Sequence, residues 1–100
     1  MDLAELTEEM RRRAGQNVKL GYKVKFVMDD GIIFWDGTEH PPEIGNEDKG
    51  DANTTINITP ENLQKLMAGN LDPTLAYMTG KLKVEGSMGV ALKLTSMFSD

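Results

Sequence analysis

LDPTLAYMTGKLKVEGSMGVALKL, residues 71–94, decides how this chain is read, because four punctuation signals fall within an otherwise apolar stretch. Asp72-Pro73 opens a helix, with the aspartate as N-cap and the proline at the first helical position, where its missing N–H is no loss. Thr79-Gly80 stops that helix. Lys81, Lys83 and Glu85 then alternate with Leu82, Val84 and Gly86, the period-two pattern of a strand with one wet face. A further helix begins near Met88.

That last helix is unusual in its circumference. From Met88 to Phe98 the only charged residue is Lys93, and Met88, Val90, Ala91, Leu92, Leu94, Met97 and Phe98 spread around most of the helix. A two-layer domain buries one stripe of an edge helix, so something must cover the rest: an internal apolar ligand, a partner subunit or a membrane surface.

Upstream, Leu3, Leu6, Met10 and Ala14 fall at helical spacing, with Glu8/Arg12 and Glu9/Arg13 as i,i+4 pairs and Gly15 at the end. Arg11, Arg12 and Arg13 belong to a solvated helix face, with four acids nearby, rather than to an anion site. Lys19 to Val27 and Ile32 to Asp36 flank Asp30-Gly31, a hairpin signal. With those two residues as the loop, Met28 pairs with Ile33 and Phe26 with Trp35. One face then carries Tyr22, Val24, Phe26, Met28, Ile33 and Trp35 toward the core, while Lys23, Lys25 and Asp36 stay in water. Phe34 joins Val27 and Ile32 in an apolar patch on that wet face, to be met by the N-terminal helix or a second subunit.

Thr38 to Ala52 holds two prolines, two glycines and five acids in fifteen residues, which reads as an exposed loop with no core of its own. Thr54 to Thr59 reads as a strand with Ile56 and Ile58 inward. Thr59-Pro60-Glu61 opens a helix whose Leu63, Leu66 and Met67 share a face and which closes near Gly69-Asn70. The strands each have one wet face, and the expected fold is a two-layer α+β sandwich: four or five mainly antiparallel strands with helices on one side.

One hundred residues without a long linker make one domain, residues 1–100, with a single core. The absence of cysteine excludes disulfides and thiolate chemistry and fits a reducing compartment. No apolar run approaches the ~20 residues that span a bilayer, and acids precede the basic cluster at the N-terminus, unlike a signal peptide. A cytoplasmic location is expected, and the terminal Phe98-Ser99-Asp100 is not a peroxisomal tripeptide. A net charge of −5 argues against nucleic acid as partner and against tight binding to anionic membranes, leaving at most transient membrane contact.

Catalytic candidates are few. His40 is the sole histidine and sits in the acidic loop before Pro41-Pro42. Asp29/Asp30 lie in a hairpin turn, and Glu47/Asp48/Asp51 lack the full calcium-loop pattern with its bidentate glutamate. No nucleophile-elbow, phosphate-loop or dinucleotide fingerprint occurs. Neither a catalytic residue, a metal ligand nor a cofactor is expected.

The ordered run Leu63, Leu66, Met67, Asp72, Pro73, Tyr77, Met78, Thr79, Gly80, Lys81, Leu82, Lys83, Val84, Gly86, Met88, Gly89 and Leu92 closely resembles the sterol carrier protein type 2 domain. It covers about a third of the chain; Val18 to Thr59 fits in outline only. The resemblance implies a small lipid-binding module of the same two-layer architecture, with a parallel crossover made by the helices before the Lys81–Gly86 strand. It also implies an apolar cavity for a fatty acid, fatty acyl-CoA or sterol-like ligand, with Met67, Met78, Met88 and Met97 in its wall; methionine suits surfaces that repack around varied ligands. The other expected lining residues are Phe26 and Trp35 on the sheet, Leu66, Leu71 and Leu75 on the helical side, and Val84, Leu92 and Phe98 toward the C-terminus. The expected assembly is a monomer or weak homodimer. The alternative is an interaction or dimerisation module docking on a lipid-metabolising enzyme, since related domains are often fused to enzymes; an enzyme acting on lipids is a third reading.

Overall fold

The computed structural model describes residues 2–14 and 21–98. Its elements run α1 (Leu3–Ala14), β1 (Lys23–Met28), β2 (Gly31–Asp36), β3 (Glu43–Gly45), β4 (Thr54–Ile58), α2 (Pro60–Met67), α3 (Pro73–Met78), β5 (Leu82–Gly86) and α4 (Met88–Met97). The five strands form one sheet in the order β3-β2-β1-β4-β5, and β1 and β4 are its parallel pair. The inward residues of β1, β2 and β4 join side chains from all four helices in one apolar cluster, so the helices cover a single face. This is the two-layer α+β arrangement that the alternation implies.

Local chemistry sets the helix starts. The Leu75 amide donates to Asp72 Oδ1 at 3.0 Å, and the Asn62 amide donates to Thr59 Oγ1 at 3.1 Å, each with proline entering the first turn. Asp2 and Glu5 form a reciprocal capping box at α1: the Glu5 amide donates to Asp2 Oδ1 at 2.8 Å and the Asp2 amide to Glu5 Oε1 at 3.2 Å. Leu6 and Met10 turn into the core, while Gly15 to Leu20, where the helix end and the first part of the expected strand fall, lie outside the described residues.

Several details correct the expectations. The β1–β2 loop is Asp29-Asp30 rather than Asp30-Gly31, so Met28 faces Gly31 and Phe26 faces Ile33. Gly31 instead opens β2 at φ +140°, a value that side chains rarely adopt, and a Cβ there would lie 2.9 Å from Leu3 Cδ2. The slip is two residues, so every side chain keeps its expected face. Tyr22, placed on the core face, lies just before β1 and is exposed.

The acidic segment is not wholly outside the core. Glu43–Gly45 pairs antiparallel with β2, and Ile44 is buried. Arg11 fastens α1 to this edge, donating through Nε at 2.9 Å and Nη2 at 2.6 Å to the Ile44 carbonyl, so it is not simply part of a solvated face. Glu9 pairs with Arg13 at 2.9 Å and also with Arg12, and Glu8 pairs with Arg11 rather than Arg12. Phe34 is only 2% exposed on the sheet's opposite face, bordering a concavity that Arg11 of α1 and residues 43–47 also line. Lys25, on that face, pairs with Asp48 at 2.8 Å.

The expected parallel crossover through the helices is absent at that point. The α2–α3 connection joins β4 to β5, which pair antiparallel; the parallel pair β1–β4 is joined through β2, β3 and the acidic segment. The two helices bring the chain back to the end where β4 finishes, so β5 starts beside Ile58 and runs the opposite way, whereas a single crossover would return it to the start of β4 and keep the direction.

Candidate functional site

The site is built on the helical face of the sheet, where β1, β2 and β4 present an apolar floor and α4 lies across it. Alternation places Phe26, Ile33, Trp35, Ile56 and Ile58 inward, and helical spacing turns Val90, Ala91, Leu94 and Phe98 down to meet them. The Phe98 ring centroid lies 6.4 Å from that of Phe26 and 6.3 Å from that of Trp35, the latter edge to face. Such aromatic pairs add ~0.5–1.5 kcal/mol each beyond their buried area.

This layer contains one unsettled polar atom. Trp35 Nε1 is buried without a hydrogen-bond partner among the described residues. Buried N–H groups are ordinarily satisfied, and leaving one unmade costs ~1–3 kcal/mol. Thr95, also buried here, is satisfied by donating to the Ala91 carbonyl at 2.8 Å.

The residues expected to line a cavity occupy three depths. Phe26, Trp35, Leu66, Met67 and Phe98 are buried in the core cluster. Leu71, Val84 and Met97 are half-buried against it, and Met88 and Leu92 are half-buried on α4. Leu75 and Met78 face outward, 59% and 72% exposed, and Tyr77 beside them is 45% exposed. α3 is therefore turned inside out: Ala76, its smallest apolar side chain, is the one it buries.

A concavity of about 320 Å³ opens at one end of the sheet, toward the face of Val27, Asn57 and Lys83 that points away from the helices, and is lined also by Met28, Asp29, Ile58, Thr59, Gly80 and Lys81. The shifted ionisations lie elsewhere. Hydrogen bonding to Arg13 holds the Glu9 carboxyl below its ordinary range despite some desolvation, and a hydrogen bond from Lys25 does the same for Asp48. His40 is exposed, and among the described residues no cluster of His, Asp and Glu is placed to hold a metal ion. The arrangement offers apolar contact and shape.

A profile of the SCP-2 sterol transfer family matches residues 9–99. The chain belongs to that family. Human hydroxysteroid dehydrogenase-like protein 2 is 33% identical over 72 residues, which is 71% of this chain and 17% of the relative. Rabbit sterol carrier protein 2 is 44% identical over 52 residues, 52% of this chain and 9% of the relative. The chain thus spans a small part of the length of the curated relatives it matches. Among solved structures, apo sterol carrier protein 2 from Yarrowia lipolytica superposes with a TM-score of 0.69 at 20% identity, covering 97% of this chain and 78% of that one. Palmitated sterol carrier protein 2 like 2 from Aedes aegypti superposes at 0.71 and 15% identity, covering 100% and 96%. These likenesses establish the shared fold, and family membership supports lipid binding or transfer in general terms.

Sequence reasoning assigned no depth to the lining residues it named. It put Leu75 and Met78 into a wall that α3 turns outward, and it did not register the triple contact of Phe26, Trp35 and Phe98, which joins three distant segments and leaves no local signal.

Proposed function

We propose that this domain is a non-catalytic lipid-binding or lipid-transfer module that takes a fatty acid, fatty acyl-CoA or sterol-like molecule between the sheet and α3–α4, in the cytoplasm. The observation that carries this reading is the family match over residues 9–99, set on an apolar layer whose half-buried Leu71, Val84 and Met97 border a core roofed by α4. The lack of cysteine accords with the location.

Energetics suit such a ligand. A sixteen-carbon chain with roughly fourteen methylenes gains ~11 kcal/mol on full burial at ~0.8 each, and an association cost of ~4 leaves about 7, or about 10 μM. Discrimination between chain lengths is weak, because a methylene or two changes little against an apolar wall. Entry requires the helices to yield, and α3, whose one buried side chain is Ala76, is the piece that buries least. An acceptor on the ligand that reached Trp35 Nε1 would satisfy the orphaned donor.

Leu92→Asp tests the placement. An ionised carboxylate in an apolar layer must stay solvated or take up a proton, so displacement of a fluorescent fatty acid should be lost while the fold is retained. Ordinary affinity in the folded variant would remove α4 from the binding wall. An interaction module docking on an enzyme is the second reading, favoured by the length of the relatives, of which this chain matches 17% in the human case.

A further inference from the structure

The two edges of the sheet are finished differently. At the β3 edge the Ile44 carbonyl accepts from Arg11 Nε at 2.9 Å and Nη2 at 2.6 Å, and Lys49 pairs with Glu43, so side chains occupy that border. The β5 edge carries no such cover among the described residues. The Ser87 amide donates to the Asn53 carbonyl at 3.1 Å, and Glu85 and Lys83 stand opposite Thr55 and Asn57 in the same register. By the alternation of an antiparallel ladder, these odd-numbered residues turn their backbone groups to β4, while Leu82, Val84 and Gly86 turn theirs outward. Among the described residues those outward groups form no hydrogen bond. Such a row is a template for another strand.

Side chains select the strand that fits. Lys83 and Glu85 are exposed on the face away from the helices, and neither joins an ion pair among the described residues. Charges on an edge repel most foreign strands, yet this pair is complementary to itself. When two copies of β5 meet antiparallel with their helical layers on one side, outward groups oppose outward groups, and the registers with substantial overlap are centred on Lys83, Val84 or Glu85. Centring on Lys83 sets lysine against lysine, and centring on Glu85 sets glutamate against glutamate. Centring on Val84 overlaps the whole strand, bonds Val84 to its own copy and Leu82 to Gly86, and places Lys83 opposite Glu85 on both sides of the axis. Those charged positions are non-hydrogen-bonded pairs, where facing side chains approach most closely.

We propose that β5 is a homodimerisation edge: a second copy of the chain adds its β5 antiparallel about Val84, the two sheets run on as one, and Lys83 of each copy meets Glu85 of the other. The two-fold axis stands perpendicular to the sheet, so both helical layers stay on one side. One strand pair buries little surface, and the dimer is accordingly weak and exchanging. The interface uses the sheet edge and the charged face, so it is independent of whether a lipid enters the apolar layer.

Sedimentation equilibrium of the 100-residue chain from about 10 μM to about 1 mM, at physiological salt where the net charge of −5 on each copy is screened, tests the edge. The expected result is a monomer–dimer equilibrium. Lys83→Glu and Glu85→Lys each turn two opposite-charge pairs into two like-charge pairs, and each should weaken dimerisation about tenfold or more. An equimolar mixture of the two variants restores opposite charges across the axis and should associate as the wild type does, as should the double variant Lys83→Glu, Glu85→Lys. That reversal separates loss of the pair from damage to the strand, and circular dichroism should show every variant folded. A wild type that stays monomeric throughout, a dimer that neither substitution weakens, or losses that neither mixing nor the double exchange reverses would overturn the proposal.

Discussion

Gly86 closes β5 at φ +96°, and a Cβ there would lie 2.6 Å from the Asn53 carbonyl oxygen, a backbone atom that cannot step aside. Asn53 is itself fixed: its amide donates to the Lys23 carbonyl at 2.8 Å and its side-chain oxygen accepts from the Lys23 amide at 2.8 Å. Gly86→Ala should therefore cost ~2 kcal/mol or more in denaturant unfolding, combining strain with collision; a neutral result would mean that the β4–β5 end is more pliant than its hydrogen bonds imply. His40→Ala should change stability by less than ~0.5 kcal/mol and leave lipid affinity intact, as befits an exposed loop residue. The caps Asp72 and Thr59 were legible because capping depends on three or four consecutive residues. The place of Gly31 was not, because Asp30-Gly31 and Asp29-Asp30 loops preserve the same faces, and the Leu3 side chain that lies close over Gly31 comes from a distant segment.

The contrast between α3 and α4 shows where periodicity stops informing. In α4 a near-continuous apolar sequence does bury a stripe, Val90, Ala91 and Leu94, continued by Phe98 just past its end, while Lys93 and Gly89 face out. Phe98→Ala should cost ~3 kcal/mol or more, since it removes the ring that touches both Phe26 and Trp35 and leaves a gap neither can fill. Trp35 is the only tryptophan, so its emission reports the same change directly. An unchanged spectrum and unfolding midpoint would contradict the packing of this helix end. α3, with six residues, is too short for its pattern to choose a face, and only the position of Ala76 against the core reveals that its larger side chains point away. β3 escaped notice for a similar reason: three residues with one apolar side chain carry no period, and their pairing with β2 is a distant contact.

Among the described residues, the shifted carboxylates lie apart from the apolar core. Burial alone would raise the Asp36 carboxyl, but hydrogen bonds from the Thr38 hydroxyl and amide, with Lys23 and Lys49 nearby, outweigh it and hold the group below its ordinary value of 3.8. Glu9 and Asp48 are lowered likewise. A carboxylate depressed in the folded state contributes stability that is present above its unfolded-state value and lost as pH falls through the folded-state value. Stability should thus hold from neutrality to about pH 5 and fall below about pH 4. Asp36→Asn should shallow that fall; an equally steep acid transition would assign the dependence to other groups. None of these charges enters the apolar layer. Alternation made the fold readable and the resemblance carried by residues 63–92 implied the general class of ligand, while the depth of each lining residue was not readable, because depth depends on how α3 and α4 settle on the sheet. The central claim is that this layer admits a single-chain lipid. Displacement of a fluorescent fatty acid by palmitate, followed in the 100-residue chain, measures it most directly. Saturable binding near one molecule per chain with micromolar affinity is the predicted result; no saturable displacement across several chain lengths would contradict it.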